Sequence, residues 1–292
     1  MNFNQKKKIA ENLLKIRFFE EKLDPLFQNQ KIFGTFHRCI GQEATAISFT
    51  HFLDKNEDYV VSNHRNHGHY LAFKKNFNAL LNELKGKSNG ASGGKGGSQV
   101  ICDENFLSNG ILGSTVALAA GIAFGIKQEK KRNCVLCFMG DGALGPGIVY
   151  ESLNISSLFK LPIIFVLEKN DVAQTSAIKD ITAGSIEQRF KSFNIKTIKI
   201  KSSNVYYLLK KTKKIIDFTK QKSQPMAVVI EAKRLCAHSK GDDYRNLKIS
   251  NTDEPLFFLK KELGLSEFKK IKDQASNYIN KLVQDEINGK KS

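Results

Sequence analysis

The sequence predicts an α/β fold: a mostly parallel, doubly wound sheet flanked by helices. Three observations carry the prediction. Short apolar runs at Val135–Met139, Ile163–Leu167, Ile195–Ile200 and Ala227–Ile230 alternate with longer helical segments, the pattern of strand–helix–strand units. Gly140-Asp141-Gly142 follows the first run directly and Glu168-Lys169-Asn170 follows the second. A single helical segment, about Gly147 to Phe159, separates these two runs. A unit of that kind brings the carboxyl ends of both strands to one sheet edge, where ligands bind.

The elements follow in chain order. Gln5 to Gln30 reads as a helix with Ile9, Leu13, Ile16 and Phe19 on one face. Gly34 to Gly41 is a loop, and Ala44 to Leu53 a second helix. Tyr59-Val60-Val61 is a short strand that runs into a histidine-rich turn. Phe77 to Lys85 is helical, whereas Ser88 to Ser98, rich in glycine and serine, has neither period. Inside a compact enzyme such a stretch faces a ligand more often than it links domains. Gly113 to Lys130 is a helix of small residues suited to close packing, in the core or against another subunit. Ser203 to Lys214 and Lys260 to Ile287 complete the helices. No internal repeat or coiled coil is evident.

At 292 residues and 41% hydrophobic, the chain has enough apolar material for one large domain or two ordinary ones. It contains no run of eighteen apolar residues. Met1-Asn2-Phe3-Asn4-Gln5-Lys6-Lys7-Lys8 lacks an apolar signal core. The expectation is a soluble cytoplasmic protein without a membrane partner. The net charge of +17 raises nucleic-acid binding as an option. However, the basic residues are scattered (Lys6–Lys8, Lys130–Arg132, Lys210–Lys211, Lys213–Lys214, Lys269–Lys270) and form no nucleic-acid motif. A positive field would also draw anionic substrates. Cys134 and Cys137 form a C-x-x-C, but within a strand residues three apart point to opposite faces. No second pair completes a zinc site, so these are expected to be ordinary buried cysteines.

Asp141 and Asn170, brought to one edge, would hold one hard cation through oxygen. The glycines around Asp141 allow the backbone to approach a phosphate, and the next helix aims its N-terminus there. This reads as a metal–diphosphate site.

Gly-Asp-Gly followed after 27 residues by Asn resembles the thiamine-diphosphate motif. Several segments narrow the resemblance: Gly140–Ala143 through Tyr150–Asn154, Lys160–Val166, Phe36–Ala44, His64–His69, Gly93–Ser98, and Ala237-His238-Ser239 with Asp242-Asp243-Tyr244-Arg245. They occur in the order found in the alpha subunit of the 2-oxo acid dehydrogenase decarboxylase component, the family of pyruvate, branched-chain and acetoin dehydrogenases. The resemblance runs from about Leu13 to the C-terminus. It implies a single thiamine-diphosphate-binding domain, the diphosphate side, over 1–292, with helical N- and C-terminal extensions.

Residue by residue, the resemblance implies Mg²⁺ ligation by Asp141, Asn170 and the carbonyl of Val172. Gly140, Gly142 and Ala143 would offer backbone to the diphosphate, and Arg65 its guanidinium fork. His64 stands where relatives often have tyrosine and would still donate to phosphate. Gly113 and Val116 match backbone positions that hold the aminopyrimidine. His37 and His238 match active-site histidines, a residue type that titrates near neutral pH as proton transfer requires, with His238 also binding the cofactor near its diphosphate; His67 would brace Arg65. Asp180, Arg189, Ser239, Asp242 and Arg245 fall in segments like the family's mobile loops. Glu151 would organise subunit contacts, or is a solvated helix residue.

The implied activity is decarboxylation of a 2-oxo acid, pyruvate first, with acyl transfer to a lipoyl-bearing acyltransferase. The glutamate that activates the cofactor would come from a beta subunit in an alpha2-beta2 assembly. Two features depart from the pattern: Lys169 replaces a usual asparagine, and Gln99-Val100 a usual methionine-histidine. An acetoin-cleaving subunit, a non-catalytic scaffold and a basic nucleic-acid binder are the competing readings.

Overall fold

The computed structural model describes residues 1–239 and 249–287. Helix α1 (Phe3–Gln28) is followed by α2 (Glu43–Thr50), β1 (Tyr59–Ser62), α3 (His67–Lys74) and α4 (Phe77–Leu84). Strands β2 (Cys102–Asp103) and β3 (Phe106–Ser108) precede α5 (Ser114–Gln128) and β4 (Val135–Gly140). After α6 (Gly147–Leu158) and β5 (Ile163–Lys169) come a small hairpin, β6 (Val172–Ala173) with β7 (Ser176–Ala177), and short helices α7 (Ile178–Ile181) and α8 (Ile186–Lys191). Strand β8 (Lys196–Ile200), α9 (Val205–Lys222), β9 (Met226–Glu231), α10 (Pro255–Leu263) and α11 (Leu265–Ile287) complete the order.

The seven-stranded sheet runs β2-β3-β1-β4-β5-β9-β8. Every pairing is parallel except β2 with β3. The chain leaves β1 toward β3 on one side and β4 toward β5 on the other. The crevice at the carboxyl ends of β1 and β4 is therefore a topological switch point, where doubly wound folds bind ligands.

Both faces of the sheet are covered at its centre, so the central strands β4, β5 and β9 are buried over nearly their whole length. Alternation divides the core in two. Leu136, Phe138, Ile164, Val166, Val228 and Ile230 pack with α1, α2 and α9. Cys137, Met139, Phe165, Leu167, Ala227 and Val229 pack with α5 and α6. Cys134 and Cys137 fall into different halves, both fully buried, as their spacing predicts.

Several boundaries differ from expectation. The histidine-rich turn after β1 is the start of α3, because His67, His69 and Tyr70 are buried on an apolar helix rather than exposed. The C-terminal helix is two helices, broken at Gly264 (φ +77°), a conformation that releases a chain from a helix. Helix α9 continues to Lys222, well past Lys214, since Ile215, Ile216 and Thr219 extend its buried stripe. Between Gly140 and α6 lies a turn of 3₁₀-helix, Asp141–Leu144, so the helix following Asp141 begins only at Gly147.

Candidate functional site

Asp141 begins immediately beyond β4 and is 1% exposed. Its Oδ1 accepts the amide of Gly142 (3.1 Å) and its Oδ2 accepts those of Asn170 (3.1 Å) and Asp171 (2.7 Å). The strand pairing prepares this meeting, since Gly140 lies opposite Glu168 on β5. Asp171 then adopts φ +66°, turning the chain so that its N–H faces the carboxylate. Burial pushes the Asp141 carboxyl up to about 6, against the opposing pull of the amides. Asn170 Oδ1 accepts the amide of Val172 at 3.0 Å, which leaves its second lone pair available. Asp141, Asn170 and Val172 thus form one oxygen-rich turn. A Cβ built on Gly140 meets nothing within 4 Å, whereas one on Gly142 would strike Ala173 at 2.8 Å. The backbone at 140 therefore faces open space, and at 142 it is clamped to the β6–β7 hairpin.

A second group gathers beside β1 and β9. His37 forms edge-to-face contacts with His64 and His238, each with ring centroids 4.7 Å apart. One nitrogen from each of the three rings lies within 4.8 Å of the others, the spacing of a loose metal site. The surroundings favour an anion instead. Arg65 Nη2 donates to the His238 carbonyl at 3.2 Å and approaches its Nδ1 at 3.4 Å. Arg234 Nη1 reaches the same Nδ1 at 3.0 Å. Burial, aided by Arg65 and its neighbouring rings and Arg234, pulls the His64 imidazole down to about 2, so it is neutral at physiological pH. Buried guanidiniums beside the neutral His64 imidazole make a cradle for phosphate or carboxylate oxygens.

The loops bearing these residues are fixed by buried polar links. Leu235 N donates to Ile40 O at 3.0 Å, stitching the His238 segment to the His37 loop. They cross at Gly41 (φ +98°), where an added Cβ would lie 2.4 Å from the Lys233 carbonyl. The Glu43 carboxylate takes the Gly41 amide and pairs with buried Arg17. His67 is fully buried, with Nδ1 2.9 Å from Glu20 and Nε2 2.9 Å from Ser98 Oγ. It braces the helix start and the glycine-rich loop rather than Arg65. That loop wraps one buried carboxylate: Glu83 accepts the amides of Ser92, Gly94, Gly96 and Gly97 at 2.7–3.0 Å.

Gly113 caps the start of α5, where a Cβ at Gly113 would press on Pro146 and Val149. Val116 is fully buried. Ala143 is buried in the 3₁₀ turn. Lys169 pairs with Asp171 at the mouth of the turn. Asp180 and Glu151 are exposed, and Arg189 bonds the Leu144 carbonyl at 3.4 Å. Asp242, Asp243, Tyr244 and Arg245 lie outside the described residues. Sequence reasoning missed Arg234, which is 2% exposed. The available signal was a lone arginine just past an apolar strand and four residues before His238.

With this geometry in place, similarity to known proteins is informative. Residues 11–289 match the family described as dehydrogenase E1 component. The chain is 33% identical to the pyruvate dehydrogenase E1 component subunit alpha of Zymomonas mobilis, over 89% of this chain and 77% of the relative. It is 31% identical to the protein of that name from Rickettsia prowazekii, over 80% and 73%. To the alpha subunit of acetoin:2,6-dichlorophenolindophenol oxidoreductase from Bacillus subtilis it is 29% identical, over 94% and 83%.

Proposed function

The chain belongs to the dehydrogenase E1 component family, and from that membership we propose that it is the alpha subunit of a thiamine-diphosphate-dependent 2-oxo acid dehydrogenase acting on pyruvate. The observation that carries the reading is the meeting of the Asp141 carboxylate with the backbone of Asn170 and Asp171 at the sheet's switch point. Carboxylate, carboxamide and carbonyl oxygens at 141, 170 and 172 suit Mg²⁺. The open side of Gly140 leaves room for a diphosphate, as do the guanidiniums of Arg65 and Arg234 beside His64 and His238.

Bound there, thiamine diphosphate would supply the electron sink that 2-oxo acid decarboxylation needs. This chain's own residues do the rest. Asp141, Asn170 and the Val172 carbonyl hold the cation. Gly142 and Ala143 offer amides, Arg65 neutralises phosphate charge, and the neutral His64 ring donates a hydrogen bond to a phosphate oxygen. His37 and His238, at the mouth of the same cradle, exchange hydrogen bonds with the oxygens of the incoming acid.

Two assembly partners belong to the proposal. The activating glutamate comes from a beta subunit, and the acyl group leaves on a lipoyl-bearing acyltransferase. Leu118 (43% exposed) on α5 and Ile148 (41%), Ile155 (43%) and Leu158 (69%) on α6 leave an apolar surface for such an assembly. The described helices include none long and apolar enough to cross a membrane.

The test is co-expression with a beta-type chain, followed by dye reduction with pyruvate, branched 2-oxo acids and acetoin. Pyruvate-dependent turnover requiring both chains, magnesium and thiamine diphosphate is expected. Turnover with acetoin alone would assign the acetoin reading, which the Bacillus subtilis relative supports. Calorimetry provides the second arm: Asp141→Ala should lose magnesium-dependent cofactor binding, and unchanged binding would refute the metal assignment.

A further inference from the structure

His238 has two ring nitrogens, and its chemistry depends on which carries the proton. Its Nδ1 faces two guanidinium groups, Arg234 Nη1 at 3.0 Å and Arg65 Nη2 at 3.4 Å. A guanidinium has donors only. An N–H on Nδ1 would set a donor against both of them, and a fully protonated ring would add a third positive charge. The stable arrangement has Nδ1 bare, accepting, and the proton on Nε2.

Arg234 is built for this task. It is 2% exposed and sits three residues past the end of β9. Nε donates to the Cys236 carbonyl at 3.2 Å and Nη2 to the Gln174 carbonyl at 3.3 Å. These two bonds fix the plane of the guanidinium, and the remaining nitrogen is then aimed at the ring. The Gln174 bond also joins the His238 segment to the hairpin that begins at Val172, just after Asn170. Arg65 is the weaker influence: its contact with Nδ1 is longer, and its other bonds run to the carbonyls of Arg38 and His238.

We propose that Arg234 is a positioning residue that locks His238 in the neutral Nε2–H tautomer, so that His238 meets its ligand as a hydrogen-bond donor and not as a base. The consequence deepens the function proposed above and rests on it only in naming the ligand: Nε2–H selects a negatively charged oxygen, of a phosphate or of a 2-oxo acid. His37 and His64 face the same space, and in the locked tautomer His238 is not the group that removes a proton there. The lock itself stands on the contacts alone.

The test is long-range ¹H–¹⁵N spectroscopy of the full chain carrying ¹⁵N-labelled histidine, with His238 assigned by loss of its signals in His238→Gln. The wild type is expected to show a bare Nδ1 and a protonated Nε2 with no averaging between tautomers. Arg234→Gln, whose amide oxygen can accept, should shift His238 to a mixture containing Nδ1–H. Arg234→Lys, still donor-only, should restore the wild-type pattern. A protonated Nδ1 in the wild type would overturn the lock, as would an unchanged tautomer in Arg234→Gln. Because the wild-type spectrum needs no variant and no turnover, it is readable whatever the substrate is. Failure of pyruvate turnover with the Nε2–H pattern intact would count against the proposed function alone.

Discussion

Asp141 carries a charge whose burial has a measurable energetic signature. In the metal-free protein its carboxyl is pushed up from 3.8 to about 6, chiefly by burial. A rise of about two pH units corresponds to about 3 kcal/mol between the protonated and ionised forms. The sign follows from linkage. Below about pH 3 the group is protonated in both folded and unfolded chains and nothing is lost. Between about pH 4 and 6 the folded protein holds the proton more tightly than the unfolded one, so stability falls as pH rises. Above about 6 both forms are ionised and the full cost remains. Asp141→Asn has no such titration. The stability of the wild type relative to Asp141→Asn should therefore drop by about 3 kcal/mol from pH 3 to pH 7, other carboxylates cancelling in the difference. Urea unfolding followed by far-UV circular dichroism measures it, the chain having no tryptophan to report by fluorescence. Magnesium with thiamine diphosphate should reverse the loss in the wild type, because a cation at the turn offsets the buried charge, and leave Asp141→Asn unmoved. A difference that stays flat with pH would refute the reasoning.

Other perturbations test the frame around the site. Gly41→Ala places a Cβ 2.4 Å from the Lys233 carbonyl and 2.6 Å from Leu235 Cγ at φ +98°; thermal melting should reveal a loss of about 2 kcal/mol or more, and an unshifted melt would show that the crossing is slack. Glu83→Gln keeps one acceptor oxygen for the four amides of the glycine-rich loop. Limited proteolysis should then cut between residues 86 and 98, with about 2–3 kcal/mol lost; continued resistance would contradict the role given to Glu83. Arg17→Met strands the Glu43 charge in a site where its side chain is 0% exposed. It should cost about 3–5 kcal/mol, part of which Arg17→Met with Glu43→Gln should recover. No recovery in the double variant would locate the loss in packing instead.

The legible part of this molecule lies where one local pattern decides the structure. The apolar runs at 135–139 and 163–167, too short for helices and flanked by glycine or proline, read as strands buried on both faces, and β4 and β5 follow them closely. Asp141 and Asn170 were legible because each stands at the end of such a run, and parallel register brings strand ends together. The His64–His69 stretch was harder. Histidine and glycine suggest a turn, yet tertiary burial of His67 and His69 makes it the first turns of α3. Local preference lost there because packing outweighs helix propensity.

Composition and periodicity, with the two oxygen-bearing residues at strand ends, were sufficient by themselves to determine the layered α/β architecture and the meeting of Asp141 with the turn at Asn170. The convergence of His37, His64, Arg65, Arg234 and His238 was decided only by the folded chain. Those residues come from three segments widely separated in sequence, and what unites them is the crossing at Gly41 and the bond from Leu235 to Ile40. A periodic pattern reports which face of an element is buried, but it carries no information about which loops meet beyond the sheet. That is set by side-chain bonds between segments, such as Arg234 to Gln174, which exist only once the sheet has aligned the strands that precede them.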